Sequence, residues 1–380
     1  MTSHTANTRL EWLAKELKKA YKAARAGKIS KPEVIAFDKI AKSEIAALAQ
    51  EIHTRSYTPR PSTAFIVNKP VKREIFAAAF RDRVVHHLLF NQVNKWWDAR
   101  FIEDNYSCRI GKGTLYGIRR LDHHIRSVSR NYTRPAYILK LDLQGYFMSL
   151  ERKKLFERAM WGLDRQFPDK GYSYQVCKFL WKVIIFNDPL KNVQLNCPRR
   201  AWQGLPPSKS LFHHPKGRGI AIGNLTSQLL SNIYLDQLDR FVTLGLGFKH
   251  YGLYVDDFYI VSTNKAELIK ATATVERYLD RHLALTLHPH KRHLQECHKG
   301  VAFLGAVVYP HRIHPGKRLK HNLLEALSHA DCSKETAASY RGLVKHYKHH
   351  KLLSAIDIAQ GGYNKEVLCL AQGRAALGGE

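Results

Sequence analysis

The sequence predicts an α+β chain, with short strands forming an antiparallel sheet and helices before, between and after them. Short apolar runs rich in β-branched and aromatic residues fall at 63–77, 136–143, 250–262 and 301–309, each bounded by turn residues. Longer stretches repeat their apolar residues at helical period. A third observation concerns partners: 61 Lys and Arg against 32 Asp and Glu leave a formal charge of +29 over 380 residues. Self-repulsion of that size suits a polyanionic partner.

In chain order, Leu10, Leu13, Leu17 and Tyr21, then Ile40, Ile45, Leu48 and Ile52, predict helices across residues 9 to about 55. The loop at 27–32 separates them, and Lys31-Pro32 opens the second. Residues 63–77 read as two strands flanking Asn68-Lys69-Pro70, a hairpin with a basic tip. A helix from about Arg81 to Trp97 follows, carrying Val84, Val85, Leu88, Leu89 and Val93. Ala136 to Leu143 is a buried strand with Asp142 near its end, and 151 to about 186 is helical. The Pro-, Gly- and Arg-rich stretch 191–219 reads as loop. Asn224 or Thr226 then caps a helix with Leu229, Leu230, Ile233, Tyr234, Leu238 and Phe241 on its apolar side. Tyr251 to Ser262 is strand, tight turn, strand, with Asp256 and Asp257 at the tip. A helix over about 265–283 follows, then a strand pair or bent strand at 301–309. The tail from Leu319 is helical and basic, and Ala371 to Glu380 look frayed. There is no internal repeat and no low-complexity block.

Hydrophobic residues at 44% and charged residues at 24% are ordinary for a globular protein of two or three subdomains. The basic residues are spread along the chain and no long apolar segment occurs, which favours nucleic acid over a membrane surface. Cys108, Cys177, Cys197, Cys297, Cys332 and Cys369 lack any Cys-x-x-Cys pair, a reduced, cytoplasmic pattern. The amino terminus has no apolar signal core. His213-His214 and the histidines of 288–293 lack the paired spacing of a zinc site, and add positive charge instead.

Two adjacent carboxylates within an apolar run repel each other and are costly to hold there without a divalent cation. Nucleotidyl transfer needs two such ions about 3.5–4 Å apart. Mg²⁺ takes hard oxygen ligands, so carboxylates must come from more than one element. Asp142 supplies the third, just ahead of the aromatic pair Tyr146-Phe147.

The motif order resembles that of a reverse transcriptase over about residues 55 to 350. The resemblance implies a right-hand polymerase: an N-terminal helical extension at 1–54, fingers and palm at 55–310, and a helical thumb and tail at 311–380. Lys140-Leu-Asp142-Leu-Gln-Gly-Tyr-Phe147 resembles the first catalytic motif. It implies Asp142 as ligand of both Mg²⁺ ions (Mn²⁺ substituting), with Leu143 beside it in the metal set and Phe147 as gate against a ribose 2′-hydroxyl. Tyr254-Val-Asp256-Asp257 resembles the second, with Asp256 the stronger ligand. Lys72, Arg73, Arg81 and Arg83 look like the fingers motif that clasps the triphosphate, Arg83 also serving nucleic acid. Lys291 falls where the family keeps a lysine near the leaving pyrophosphate, with His290 and Arg292 as alternatives. Phe303-Leu304-Gly305 resembles the primer grip, and the thumb cations Arg341 and Lys345 are expected on the duplex backbone.

One segment departs from the common pattern. Ile220-Ala-Ile222-Gly223-Asn224-Leu-Thr-Ser227-Gln228 stands where most reverse transcriptases carry Gln-Gly. It resembles the enzymes of diversity-generating retroelements, as does Asp104-Asn-Tyr-Ser-Cys-Arg109-Ile-Gly-Lys112-Gly. Here Gly223 is expected to let the backbone approach the nascent base pair. Ile222, which offers no hydrogen bond there, and Gln228 border the nucleotide, while Arg109 and Lys112 join the nucleic-acid set. That subclass implies cDNA synthesis from dNTPs on a structured template RNA, errors opposite adenine, and a pentameric accessory variability determinant protein as partner. Retron-like, group II intron-like and defence-associated reverse transcriptases are the alternatives. A non-catalytic nucleic-acid-binding protein and a metal-dependent nuclease are more distant ones.

Overall fold

The computed structural model describes residues 3–360 apart from 70, 329–332 and 348–349. Two long helices open the chain, α1 (Ser3–Arg25) and α2 (Pro32–Thr54). Pro32 sits in the first turn of α2, where its missing N–H has no partner to lose. The hairpin β1 (Thr63–Val67) and β2 (Arg73–Ala77) follows, paired from Thr63↔Ala77 to Val67↔Arg73. Next comes α3 (Phe80–Asp98), whose Val84, Val85, Leu88 and Leu89 share a core with Leu13 and Leu17 of α1 and Leu48 and Ile52 of α2. The N-terminal helices are therefore packed into the main core.

The middle of the chain runs α4 (Thr114–Ser129), β3 (Tyr137–Leu143), a short α5 (Tyr146–Ser149), α6 (Arg152–Gln166) and α7 (Tyr172–Phe186). After β4 (Gln194–Leu195), a second neighbour of β1, come α8 (Leu225–Arg240), β5 (Tyr251–Tyr254), β6 (Asp257–Ser262), α9 (Lys265–Tyr278) and β7 (Leu287–Glu296). Strands β8 (Val301–Phe303), β9 (Ala306–Tyr309) and β10 (Arg312–Pro315) form a small antiparallel sheet. Helices α10 (Lys317–Ser328), α11 (Lys334–Val344) and α12 (His350–Gln360) then enclose a separate core of Leu323, Leu327, Ala337, Val344, Leu352, Ala355 and Ile356.

The central sheet has the order β5-β6-β3-β7, all antiparallel. Alternation along β3 sends Leu139, Leu141 and Leu143 into the main core, with Phe258 and Ile260 of β6. Ile138, Tyr259 and Val261 face the other way, covered by Ile118, Leu121 and Ile125 of α4 and by Phe303 and Val308. Asp142 and Asp257 share this second face, at the end of the sheet.

Three expectations change. The helix over 151–186 is broken at 167–171, where Pro168 and Gly171 interrupt it. The helix from 265 gives way at Leu279–Leu283 to a wide π-type turn. Asn224 holds the cap position of α8 but not by bonding the helix; its Oδ1 accepts from the Ala78 N–H at 3.2 Å, tying α8 to the end of β2. In the loop at 191–219, Glu74 of β2 acts as anchor: wholly buried, it accepts from Trp202 Nε1, Ser210 Oγ and the Leu211 N–H, each at 2.7 Å. Cys332, Cys369 and the 371–380 segment lie outside the described residues. No described helix is long and apolar enough to cross a membrane.

Candidate active site

Residues Val255 and Asp256 form the two-residue turn between β5 and β6, closed by the Tyr254↔Asp257 pair. Val255 adopts φ +59, a left-handed conformation that a β-branched residue takes only under strain and that glycine usually fills in such turns. The turn projects Asp256 beside β3, and its carbonyl accepts from the Leu143 N–H at 3.1 Å. Asp142 and Asp257 are direct cross-strand partners in the β3–β6 register. Three carboxylates thus converge from one strand end and one hairpin.

Electrostatics report the crowding. Burial pushes the Asp256 carboxyl up to about 6, with Asp142 and Asp257 adding to the rise. Burial also raises Asp257, opposed by Lys140. The charges available to answer them are lysines. Lys291 on β7 donates from Nζ to both Asp142 oxygens at 2.9 Å. Lys140, two residues before Asp142 on the same face, places Nζ 3.8 Å from Asp257 Oδ2 while donating to the Ala302 carbonyl at 2.7 Å and lying over the Phe303 ring. Among the described residues no three His, Cys, Asp or Glu side chains stand around a ready-made metal position. Carboxylate oxygens are hard ligands suited to a divalent cation such as Mg²⁺, which binds through one or two carboxylates and completes its shell with waters and substrate phosphates. Asp142, Asp256 and Asp257 are the residues that would hold it.

Around this centre lies a partly exposed rim. Phe147 follows the buried Tyr146, their rings 5.3 Å apart, and its carbonyl accepts from the Ile220 N–H at 3.0 Å. Arg73 starts β2, close enough to Tyr254 to oppose the rise that burial gives that phenol. Lys72 donates to the Gln203 carbonyl. Gln228 is exposed on α8. The Ile222 carbonyl accepts from the Phe76 N–H at 2.8 Å, and its side chain packs on the cluster of Ala64, Phe76, Met148 and Leu211.

Several expected contacts belong elsewhere. Arg81 is buried and spent on ion pairs with Glu44 at 2.7 Å and Glu51 at 2.6 Å, joining α3 to α2 instead of reaching a triphosphate. Arg83 donates to the Ala78 carbonyl and pairs with Glu33. Arg109 turns inward, pairing with Asp98 and donating to the carbonyls of Asp98, Ile102 and Asn105, so it holds the end of α3 and the loop after it. Lys112 is tied to Glu103. Gly223 has φ +126, and a Cβ there would meet Ile75 Cγ2 at 2.9 Å and the Phe76 carbonyl at 3.2 Å; the close approach it permits is to β2. Phe303 is buried edge-on to Tyr259 at 5.1 Å, so only the turn at Leu304 and Gly305 faces outward. Arg341 pairs with Asp357 within the C-terminal helices, and Lys345 is exposed. Lys140 escaped the sequence reading, although its spacing of two from Asp142 on a strand was a usable signal.

An antiparallel palm with carboxylates at one strand end and one hairpin turn, fingers hairpin before it and helices after it, defines a right-hand polymerase. The family model for reverse transcriptase (RNA-dependent DNA polymerase) matches residues 72–308, and the chain belongs to that family, whose members are nucleotidyltransferases. It is similar to Protein YkfC of Escherichia coli (strain K12), with 22% identity over 201 residues, 52% of this chain and 45% of that protein. Among solved structures it is similar to telomerase from Candida albicans in complex with the TWJ fragment of telomeric RNA, at TM-score 0.50 and 10% identity over 88% of this chain and 60% of that one. Apo telomerase from Candida tropicalis gives TM-score 0.46 and 11% identity over 90% of this chain and 64% of that one. The chain therefore spans less than two thirds of each of these proteins. The structural likeness rests on the Candida albicans match and concerns the fold alone.

Proposed function

We propose that this chain is an RNA-directed DNA polymerase that copies a structured template RNA into cDNA for a diversity-generating retroelement. The observation that carries the chemistry is the Asp142↔Asp257 register pair with Asp256 on the adjoining turn. When bound, a pair of Mg²⁺ ions activates the primer 3′-hydroxyl and steadies the leaving pyrophosphate. The chain's own residues orient the reactants. Phe147 packs under the incoming sugar, Lys72 and Arg73 draw in the triphosphate, and Lys291 offers charge and a proton at Nζ to the pyrophosphate. The turn at Leu304 and Gly305 steadies the primer.

The subclass is supported by the Ile222-Gly223-Asn224 form. Ile222 lies between the fingers hairpin and the start of α8, so its shape governs how those two elements close on the nascent pair. Copying opposite adenine is where that loss of a polar side chain is read out, and a pentameric accessory protein is the partner this subclass would use.

The test is primer extension on an adenine-containing RNA with Mg²⁺ and dNTPs, with sequenced products, with and without such an accessory protein. Wild type is expected to make cDNA with errors concentrated opposite adenine, and Asp256→Asn/Asp257→Asn none. Ile222→Gln should lower the adenine error rate. Accurate wild-type cDNA would move the biology to a retron-like or intron-like role. Absence of cDNA in every condition would overturn the polymerase reading.

A further inference from the structure

We infer that the cleft between the end of α2 and the start of α7 binds the phosphate backbone of RNA, as a second grip on the template outside the polymerase centre. The inference rests on reading this chain as a copier of RNA. The cleft measures about 480 Å³ and is lined by Arg9, His53, Arg55, Lys170, Tyr172 and Gln175 among others. None of its lining residues is acidic and three are cations. Two acids adjoin the lining in sequence: Glu51 is paired with Arg81, and the Asp169 carboxylate lies against Gly171, its Oδ2 3.0 Å from where a Cβ would stand.

Arg55 donates to Gln175 Oε1 at 3.2 Å and Lys170 lies over the Tyr174 ring at 5.9 Å. Neutral partners of this kind orient a cation without cancelling it. His53 Nδ1 and the Tyr172 hydroxyl are 2.9 Å apart, which fixes both rings in the wall.

Arg55 at φ 62 and Lys170 at φ 48 both occupy left-handed positions where Gly or Asn would sit with less strain. A volume within the roughly 300–1,000 Å³ of ligand sites accommodates a nucleotide. Arg55 and Lys170 are exposed and lie at the rim, so they meet a chain crossing the cleft better than a small anion enclosed in it. Cations interleaved with aromatic rings are the usual equipment for single-stranded nucleic acid.

The experiment compares wild type with Arg55→Gln/Lys170→Gln and with a control, Lys265→Gln/Lys270→Gln, whose exposed lysines lie on α9. Affinity for a long structured RNA is measured against salt concentration, with folding checked by circular dichroism. Two lost phosphate contacts should flatten the log–log salt slope by about 1.4, at about 0.7 per phosphate of a single strand, and the control should keep the wild-type slope. Photocross-linking of 4-thiouridine RNA should label the peptide around residues 170–176. A wild-type slope in the cleft variant, an equal loss in the control, or labelling only elsewhere would overturn the inference. So would loss of the cross-link to inorganic triphosphate at equal phosphate concentration, which would assign the cleft to a small anion. Wild-type extension is read in parallel: an intact cross-link without cDNA would sink the polymerase reading and leave the cleft standing.

Discussion

Asp239 carries a carboxyl group that water does not reach. It lies in α8, accepting from the Tyr251 hydroxyl at 2.7 Å and from the Asn105 amide at 3.1 Å. Burial raises its pKa, the Tyr251 bond opposes this, nearby Asp236 adds to it, and the group sits at about 7. A carboxyl raised on folding stabilises the fold while both states are neutral, and loses that contribution as pH climbs through the folded value. The window therefore opens near pH 4, the ordinary aspartate range, and closes near 7. Asn105 Oδ1 is buried without a partner, so turning that amide would let it accept from an asparagine placed at 239. Asp239→Asn should melt increasingly above wild type from pH 4 to 7, with the gap constant beyond about pH 8; thermal melts across that range decide it, and a pH-independent gap would refute it. Residue chemistry of the catalytic kind was readable without a structure, because adjacent aspartates in an apolar run announce an unanswered charge. Asp239 gave no such signal, since its isolation depends on Tyr251 and Asn105 arriving from elsewhere in the chain.

Pairing between elements explains which cations bind ligands and which hold the fold. Arg81 at the start of α3 and Glu44 and Glu51 on α2 form a clasp across two helices that also share an apolar face. Removing the arginine leaves Glu51 without its cation and Glu44 with Arg60 alone at 3.5 Å; both carboxylates are partly exposed, so the loss is on the order of 1–2 kcal/mol. Arg81→Ala should therefore lower the urea midpoint clearly while the residual folded enzyme keeps its KM for dNTP. An unchanged midpoint with a raised KM would return Arg81 to the triphosphate. A list of cations cannot reveal this, because the acids that claim Arg81 and Arg83 lie 30 to 50 positions upstream. Strands β1, β2, β3, β5 and β6 were legible because one or both faces are apolar. β7 was not: its Leu287–Glu296 run is mostly charged or histidine, and as an edge strand with an exposed middle it needs little apolar signal. Helix α4 was likewise unread amid the basic residues of 114–129, although Ile118, Leu121 and Ile125 have helical spacing.

The molecule divides its cohesion unevenly. The main core runs from α1 through β3, α8 and α9, while α10, α11 and α12 close on a small cluster of their own. Stability follows such divisions, with small satellite cores opening at lower free energy than the central one. Helix α11 shows how thinly the C-terminal unit is held, burying only Ala337 and Val344, and Lys345 just beyond it is exposed. A net charge of +29 adds self-repulsion that a bound phosphate backbone would relieve, and most strongly where apolar cohesion is least. Hydrogen–deuterium exchange should therefore find the amides of α10–α12 exchanging well before those of β3 and β6 in the free protein. Adding an RNA–DNA duplex at low salt should slow α10–α12 selectively, and the effect should fade as salt rises, because counterion release drives it. Equal protection of the two units in the free protein would show that the C-terminal helices are cohesive with the palm. Protection that persists at high salt would mean that packing, rather than charge, orders them around the duplex.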